Sequence, residues 1–186
     1  MARGAIIYRV QLEFSLVDRN LYGERTMSVA RHPSETLERT LARVLAFALR
    51  FDEDLEFGRG VSATDEPDLW SREGDGRVRE WIEVGQPDGK RLVKAARQSQ
   101  RTTLFAFGDG VDRWKTAQLD SIDAPDNLSV ARIDDVFLRE LAAHSDRQLR
   151  WSLTLSEGIV FLTAGENSFE TTPEVWLGDP LGGSSS

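Results

Sequence analysis

The sequence predicts a mixed α/β fold, with helices and strands alternating in the middle of the chain and antiparallel strands at both ends. Apolar and polar residues alternate along residues 6–16, which is typical of a strand with one buried face. An apolar stripe at helical spacing follows Pro33. A short and almost wholly apolar segment, TTLFAFG, begins at Thr102 and indicates a strand buried on both faces.

Length and composition predict a single domain. A chain of 186 residues is long enough for one substantial core and short for two, and its 40% apolar and 29% charged content is ordinary. We expect the domain to span residues 1–178 and a flexible tail to span 179–186, which end in LGGSSS. The N-terminus lacks the apolar run of a signal peptide, and nothing approaches the roughly 20 apolar residues of a membrane helix. We therefore expect a cytoplasmic protein with no membrane segment.

The residue inventory limits the metal chemistry. The chain has no cysteine and only two histidines, His32 and His144, so thiolate and histidine-rich metal sites are excluded. A bound metal would need oxygen ligands, which favours magnesium, manganese or calcium. The formal net charge of −8 argues against broad, non-specific binding of nucleic acid, but it leaves room for a local basic groove.

Each element follows from its local pattern. Residues 6–16 and the segment ERTMSVA predict an opening hairpin around the turn DRNLYG. Residues 33–50 predict the first helix, with Pro33 in its first turn and Glu35 near the positive end of the helix dipole. The remaining expectations are an extended piece at 54–62, a hairpin at 68–84, a helix from 87 to 100, the strand TTLFAFG, a helix near 111–119, the strand LSVARI, the helix DDVFLRELAAHS, strands at 148–156 and 158–164, and a last strand near 168.

Two acids in the second hairpin form a candidate metal site. Asp68 follows Pro67 at the start of one strand, and Glu83 lies near the end of the next strand. Carboxylates on neighbouring strands can share a divalent cation, which activates water and neutralises charge on a phosphate. This is the logic of the PD-(D/E)xK nucleases, and the order helix, strand, strand, helix, strand is the one they use. Taken singly, Asp68 is explained as a turn acid and Glu83 as a charged residue on an open strand face.

The lysine of that motif is missing from its standard position. Gly85 stands two residues after Glu83, where side chains share a strand face. Lys90 and Lys94 of the following helix are the candidate replacements, since the remaining lysine is Lys115. At helical spacing they form a basic stripe with Arg97 and Arg101. This stripe is interpreted as a solvated helix face, a phosphate-binding rim, or the source of a relocated catalytic lysine.

Glu38 is the candidate third acid, because it lies at the edge of the apolar stripe of the first helix. From there it would reach the sheet and complete a metal site. The ordinary structural explanation is a boundary residue paired with Arg39 or Arg43. Glu35 lies further from the apolar stripe and is assigned to the helix dipole.

Several segments in order resemble the YaeQ family of small bacterial proteins. The most specific is ARHPSETLER at 30–39. The opening hairpin with VDRNLY, DEP at 65–67, WIEVGQP at 81–87 and NLSV at 127–130 match further parts of that family. The resemblance covers nearly the whole chain except the tail.

The resemblance implies a variant of the PD-(D/E)xK nuclease fold, an αβββαβ-type core with additional antiparallel strands from both termini. Asp68 and Glu83 match the metal-binding acids, and Glu38 matches the helix acid. One hypothesis is a magnesium- or manganese-dependent nuclease or phosphodiesterase acting on DNA or RNA, with Lys90 or Lys94 replacing the motif lysine. The alternatives are a non-catalytic module that binds protein or nucleic acid, and a protein of the transcription machinery.

Overall fold

The computed structural model describes residues 4–60 and 63–183 of the chain. These residues form two compact units. Of the described residues, 4–50, 136–173 and 181–183 belong to the first unit, and 51–60, 63–135 and 174–180 belong to the second. The expectation of a single domain over residues 1–178 stays a prediction.

The first unit is built on a five-stranded mixed sheet with the order β10-β9-β8-β1-β2. β1 and β8 are parallel, and the other neighbours are antiparallel. The opening hairpin and the closing strands predicted from the sequence are confirmed. The strands are β1 (Ile6–Leu16), β2 (Leu21–Arg31), β8 (Gln148–Ser156), β9 (Ile159–Ala164) and β10 (Asn167–Thr171).

Strict alternation along β1 explains the position of the core in this unit. Val10, Leu12 and Phe14 are buried, whereas Arg9, Gln11 and Glu13 are exposed. The buried face packs against helix α1 (Leu37–Leu49), in which every residue from Thr40 to Leu49 is buried. Helix α4 (Asp135–Ala143) contributes Phe137, whose ring meets the edge of the Phe169 ring on β10 at a centroid distance of 6.4 Å.

The first helix begins later than the sequence predicts. Residues 33–36 form a turn, and the side chain of Thr36 caps α1 by accepting a hydrogen bond from the Arg39 N–H. Pro33 therefore lies before the helix and not in its first turn. A threonine oxygen at this position satisfies one of the free N–H groups of the first turn, which explains where the helix begins.

Glu35 directly precedes the Thr36 cap of α1 and is the centre of a buried ion pair that the sequence analysis did not predict. Glu35 and Arg43 are 5% and 2% exposed, and the guanidinium donates to both carboxylate oxygens, from Nε at 2.9 Å and from Nη2 at 3.0 Å. Arg43 Nη2 also donates to the Ala30 carbonyl at 2.8 Å, and Arg39 pairs with Glu35 at 3.0 Å. Arg39 and Arg43 thus pair with Glu35, whereas the sequence offered them as partners of Glu38.

The second unit is a six-stranded mixed sheet with the order β11-β7-β6-β5-β4-β3. β5, β6 and β7 are parallel, and the outer strands are antiparallel to their neighbours. The predicted second hairpin is confirmed as β4 and β5. The strands are β3 (Leu55–Phe57), β4 (Leu69–Arg72), β5 (Val78–Val84), β6 (Ser99–Ala106), β7 (Leu128–Arg132) and β11 (Glu174–Leu177).

Helix α2 (Gly89–Gln98) joins the parallel strands β5 and β6 and covers one face of this sheet. Leu92 of α2 belongs to the same apolar cluster as Leu104 of β6. Leu104 lies beside Glu83 in the parallel register, so Glu83 points to the face that α2 covers. Glu80 points to the opposite face, where its carboxylate accepts a hydrogen bond from Thr103 at 3.0 Å.

Several predicted boundaries differ from the structure. The extended piece at 54–62 is a strand only at Leu55–Phe57, and residues 61–62 lie outside the described residues. The helix near 111–119 is one α-helical turn, α3 (Val111–Trp114), followed by a wider turn at Lys115–Leu119. β11 pairs with β7 although the sequence analysis assigns no element to it. It is a four-residue strand without a strong alternation in burial, so its pattern is weak.

Part of the predicted tail makes packing contacts. The Asp179 N–H donates to the Ser129 hydroxyl at 3.1 Å, and Leu181 is 7% exposed. These contacts place residues beyond 178 in the folded units. Residues 184–186 lie outside the described residues.

The ion pair of Glu35 predicts a large stability difference between two neighbouring acids. Glu35→Ala leaves the Arg43 guanidinium buried without its carboxylate, and we expect a loss of about 3–5 kcal/mol in the free energy of unfolding. Glu38→Ala, in the first turn of the adjoining helix α1, is the matched control, and we expect a loss below about 1 kcal/mol. Urea denaturation followed by circular dichroism measures both. Equal losses for the two variants would contradict the role of Glu35.

Candidate functional site

The β4–β5 hairpin brings Asp68 and Glu83 together. Leu69 is opposite Ile82 in the antiparallel register. Asp68, the residue before Leu69, and Glu83, the residue after Ile82, are therefore cross-strand neighbours on one face of the sheet. Each of these acids is 4% exposed. The Asp68 Oδ2 accepts a hydrogen bond from the Val84 N–H at 2.9 Å, which fixes the aspartate against β5. The cross-strand pairing that the sequence predicts is therefore present.

A close backbone approach holds the segment that precedes Asp68. The Gly58 N–H donates to the Asp68 carbonyl at 2.9 Å. A Cβ at residue 58 would lie only 2.0 Å from the Pro67 carbonyl oxygen, so only glycine fits here. This contact positions the chain just before it enters β4.

Glu83 is held by a tryptophan and an arginine. Its Oε1 accepts one hydrogen bond from the Trp81 indole and one from the Arg91 Nε, each at 2.8 Å. The Arg91 guanidinium also donates to the carbonyl oxygens of Thr64 and Glu66, at 2.8 Å in the case of Glu66. Arg91 thus connects the carboxylate on β5 to the loop that leads into β4.

The surroundings raise the pKa of Glu83 to about 7. Burial is the largest cause, because it disfavours the charged form, and the neighbouring Asp68 carboxylate adds to it by repulsion. The positive charge of Arg91 and the hydrogen bond from Trp81 act in the opposite direction and are smaller. The two acids therefore form a site where negative charge is held at a free-energy cost.

An apolar and aromatic surface continues from the acids along the same face of the hairpin. Trp70 is opposite Trp81 in the register, and their rings meet edge to face at a centroid distance of 6.1 Å. The Arg72 guanidinium lies 4.5 Å from the centre of the Trp70 ring. This aromatic pair belongs to the surroundings that remove water from one side of the carboxylates.

Lys90 and Lys94, the predicted replacements for the motif lysine, are exposed on α2. Arg97 is exposed as well, and no carboxylate of residues 4–60 or 63–183 pairs with any of these three side chains. The predicted stripe is wrong in its last member. Arg101 lies on β6 beyond the end of α2 and points to the opposite sheet face, 3.8 Å from Glu80.

Arg91 is the functional candidate that the sequence analysis missed. It is adjacent to Lys90, but a shift of one residue turns a helical side chain by about 100°. Since Leu92 and Ala95 are buried, Arg91 lies at the sheet-facing edge of α2, whereas Lys90 lies further into solvent. A search for any basic residue near the start of the helix, not only for lysine, would have found it.

Glu38 belongs to the first unit, where it is partly exposed on α1. Its assignment as a third acid stays a prediction.

Within residues 4–60 and 63–183, no three or more histidine, cysteine, aspartate or glutamate side chains lie close enough together to hold a metal ion. In the same part of the chain, no helix is long and apolar enough to cross a membrane.

The fold and the site define a mixed α/β protein with two sheets and a buried acidic pair at a hairpin of the second sheet. The model of the family described as "YaeQ protein" matches residues 1–173. The uncharacterized protein YaeQ of Escherichia coli (strain K12) is 35% identical over 178 residues, which cover 95% of this chain and 98% of the relative. The uncharacterized protein YaeQ of Salmonella typhi is 36% identical with the same coverage.

Two crystal structures are similar over nearly the full chain. The YaeQ protein from Xanthomonas axonopodis pv. citri has a TM-score of 0.88 and 37% identity, and the match covers 92% of this chain and 98% of that one. The YaeQ protein from Pseudomonas syringae has a TM-score of 0.90 and 38% identity, with 95% and 98% covered. The chain belongs to the YaeQ family, which confirms the resemblance found in the sequence.

The raised pKa of Glu83 predicts how stability depends on pH. The folded protein binds a proton at Glu83 that the unfolded chain has lost above its ordinary pKa of 4.5, so stability falls as pH rises from about 4.5 to about 7. The contribution is up to about 3 kcal/mol. Urea denaturation across this range should show a shallower fall for Glu83→Gln than for the unchanged protein.

Two further variants test the causes of that shift in the metal-free protein. Asp68→Asn removes the repelling charge and should lower the pKa of Glu83. Arg91→Met removes the attracting charge and should raise it. Carbon-13 NMR titration of the glutamate carboxyl groups measures both. Shifts in the reverse directions would contradict the described site.

Proposed function

We propose that the protein is a metal-dependent nuclease or phosphodiesterase built on a variant of the PD-(D/E)xK fold. One observation carries the proposal: Asp68 and Glu83 are buried side by side on neighbouring strands, where repulsion and burial raise the pKa of Glu83. A divalent cation between two such carboxylates would relieve both the repulsion and the cost of burial. The order of β4, β5, α2 and β6 supports the fold assignment.

The donor chemistry fits magnesium or manganese. Both ions prefer oxygen ligands, and Asp68 and Glu83 would supply them. Within residues 4–60 and 63–183, both hydrogen bonds to Glu83 fall on Oε1, which leaves Oε2 for a further ligand. A bound ion of this kind supplies a water of lowered pKa and neutralises charge on a phosphate.

Arg91 is proposed as the residue that replaces the motif lysine. Its guanidinium donates a hydrogen bond to the Glu83 Oε1, which orients that carboxylate. The same guanidinium also donates to the carbonyl oxygens of Thr64 and Glu66. The guanidinium stays charged at all physiological pH values, so it provides a fixed positive charge next to the acids. We assign it a positioning role, with Lys90 and Lys94 as less direct candidates because they are exposed to solvent.

A phosphodiester of DNA or RNA is the proposed substrate, and the cytoplasm is the proposed location. Lys94 and Arg97 are exposed on the helix that carries Arg91, and no described acid neutralises them. These cations would contact the substrate backbone next to the acidic pair. The net charge of −8 favours a short substrate over a long duplex.

One observation favours a non-catalytic role instead. The ion pair between Glu83 and Arg91, at 2.8 Å, already offsets one of the two negative charges. If no metal binds, the acids and Arg91 would be a structural cluster, and the protein would be a module that binds nucleic acid or a protein linked to transcription. Metal binding separates the two functions.

The two acids should be required for metal binding. We expect manganese to bind the unchanged protein in isothermal titration calorimetry, and the Asp68→Asn, Glu83→Gln double variant to lose binding. Both substitutions keep hydrogen-bond acceptors, so the fold should survive, and circular dichroism checks it. Glu53→Gln, Glu56→Gln is a matched control that removes the same charge from an exposed part of the second unit. Absence of binding at millimolar manganese would exclude the enzyme.

The three basic candidates should differ in cleavage of labelled single-stranded DNA and RNA with manganese. We expect Arg91→Met to lower the rate about 100-fold, because it removes a charged donor and the orientation of Glu83. Lys90→Ala and Lys94→Ala should lower it less than about tenfold, since neither side chain is held at the acids. If a lysine variant lowers the cleavage rate more than Arg91→Met does, that lysine and not Arg91 replaces the motif lysine.

A further inference from the structure

The connection between β5 and α2 is short and is tied to the segment that follows β6. It consists of residues 85–88. The Gln86 side-chain amide donates to the carbonyl oxygens of Phe107 and Asp109, at 3.0 Å in each case. The end of β5 is therefore fixed to the end of β6, and the chain enters α2 from a defined position.

A wide turn in the crossover from β6 to β7 contacts the start of α2. The Asp120 N–H donates to the Lys115 carbonyl, five residues earlier, at 2.9 Å, which makes Lys115–Leu119 a π turn. Gln118 lies in this turn, and its Oε1 accepts a hydrogen bond from the Gly89 N–H at 2.9 Å. Gly89 is the first residue of α2, so its N–H has no acceptor within the helix. The Gln118 side chain supplies that acceptor.

Two further contacts fix the same part of the chain. A Cβ on residue 89 would lie 2.8 Å from the Gln118 carbonyl oxygen, so only glycine fits against the π turn. The Trp114 indole of α3 donates to the Pro87 carbonyl at 2.7 Å. The crossover between β6 and β7 thus contacts α2 at its first residue and also two residues before it.

The position of Arg91 depends on these contacts. Arg91 follows Gly89 by two residues and lies in the first turn of α2. Its Nε donates to the Glu83 Oε1 at 2.8 Å. A displacement of α2 by about 0.5 Å would take this distance out of the usual range for an N–H···O hydrogen bond. Whatever fixes the start of α2 therefore also sets the contact between Arg91 and Glu83.

We propose that Gln118 is a positioning residue of the acidic site, which holds the start of α2 so that Arg91 reaches Glu83. The inference rests on the proposed function, in which Arg91 replaces the motif lysine. The π turn supports it, because such turns are rare and are frequent at functional sites. The alternative role of Gln118 is a helix cap that only stabilises the fold. The two roles differ at Arg91, because loss of a simple cap leaves the contact with Glu83 unchanged.

Three variants separate these roles. Gln118→Leu keeps the size of the side chain and removes the acceptor for the Gly89 N–H. Gln118→Glu keeps an oxygen acceptor and should rescue the contact, since a carboxylate is favourable at the N-terminus of a helix. Gln98→Leu is the matched control, because Gln98 is exposed in the last turn of α2. Circular dichroism checks the fold, and Gln118→Ala replaces Gln118→Leu if the leucine variant does not fold.

The main measurement is the NMR signal of the Arg91 Nε–H group in the nitrogen-15-labelled, metal-free full chain, assigned by its absence from Arg91→Met. Gln118→Leu should shift this signal and speed its exchange with water about tenfold, because the bond to Glu83 opens more often. Gln118→Glu and Gln98→Leu should each change the exchange rate less than about twofold. An unchanged signal in Gln118→Leu, an equal change in Gln98→Leu, or no rescue by Gln118→Glu would overturn the proposal.

Cleavage of single-stranded DNA with manganese gives an independent measurement. Gln118→Leu should lower the rate about tenfold, and Gln118→Leu combined with Arg91→Met should be no slower than Arg91→Met alone, because both act through one contact. Additive losses would contradict the positioning role. If the unchanged protein does not cleave, the proposed function fails, whereas the Arg91 signal still decides the role of Gln118 because it needs no metal.

Discussion

The site in the second unit is organised by one interaction, the forced proximity of the Asp68 and Glu83 carboxylates at the β4–β5 hairpin. The antiparallel register makes them neighbours, and burial keeps water from screening them. The surrounding N–H groups donate hydrogen bonds to the two carboxylates. Val84 donates to Asp68, while Trp81 and Arg91 donate to Glu83, and even so the pKa of Glu83 stays near 7. If stability were the only requirement, apolar residues in place of such a pair would raise the free energy of unfolding.

The first unit shows a different use of a buried charge. Glu35 and Arg43 form a bidentate pair that also satisfies the Ala30 carbonyl, so both partners are matched and the segment between β2 and α1 is fixed. In the acidic pair of the second unit, Arg91 pairs with Glu83, and even so burial and the neighbouring Asp68 carboxylate keep the pKa of Glu83 near 7. This contrast supports the proposal that the second cluster acts on a ligand while the first stabilises the fold.

Much of the architecture follows from local patterns. Alternation along β1, the apolar stripe of α1 and the apolar run of β6 each identify an element with one or two buried faces, and these predictions are confirmed. The PD-(D/E)xK assignment stays a proposal. Local patterns did not find β11, which is short, or the start of α1, which the Thr36 cap determines. The contact of Arg91 with Glu83 depends on which edge of α2 faces the sheet, and the spacing of the basic residues does not reveal that edge.

The most direct test is anomalous X-ray diffraction from crystals soaked in manganese at a pH above 7. Because the pKa of Glu83 is about 7, most of this carboxyl group is ionised at such a pH and able to bind a cation. We expect an anomalous peak within ligand distance of carboxylate oxygens of both Asp68 and Glu83, and no such peak in Asp68→Asn crystals. A map without a peak at the pair, or a peak that persists in the variant, would contradict the claim that these carboxylates form a metal site.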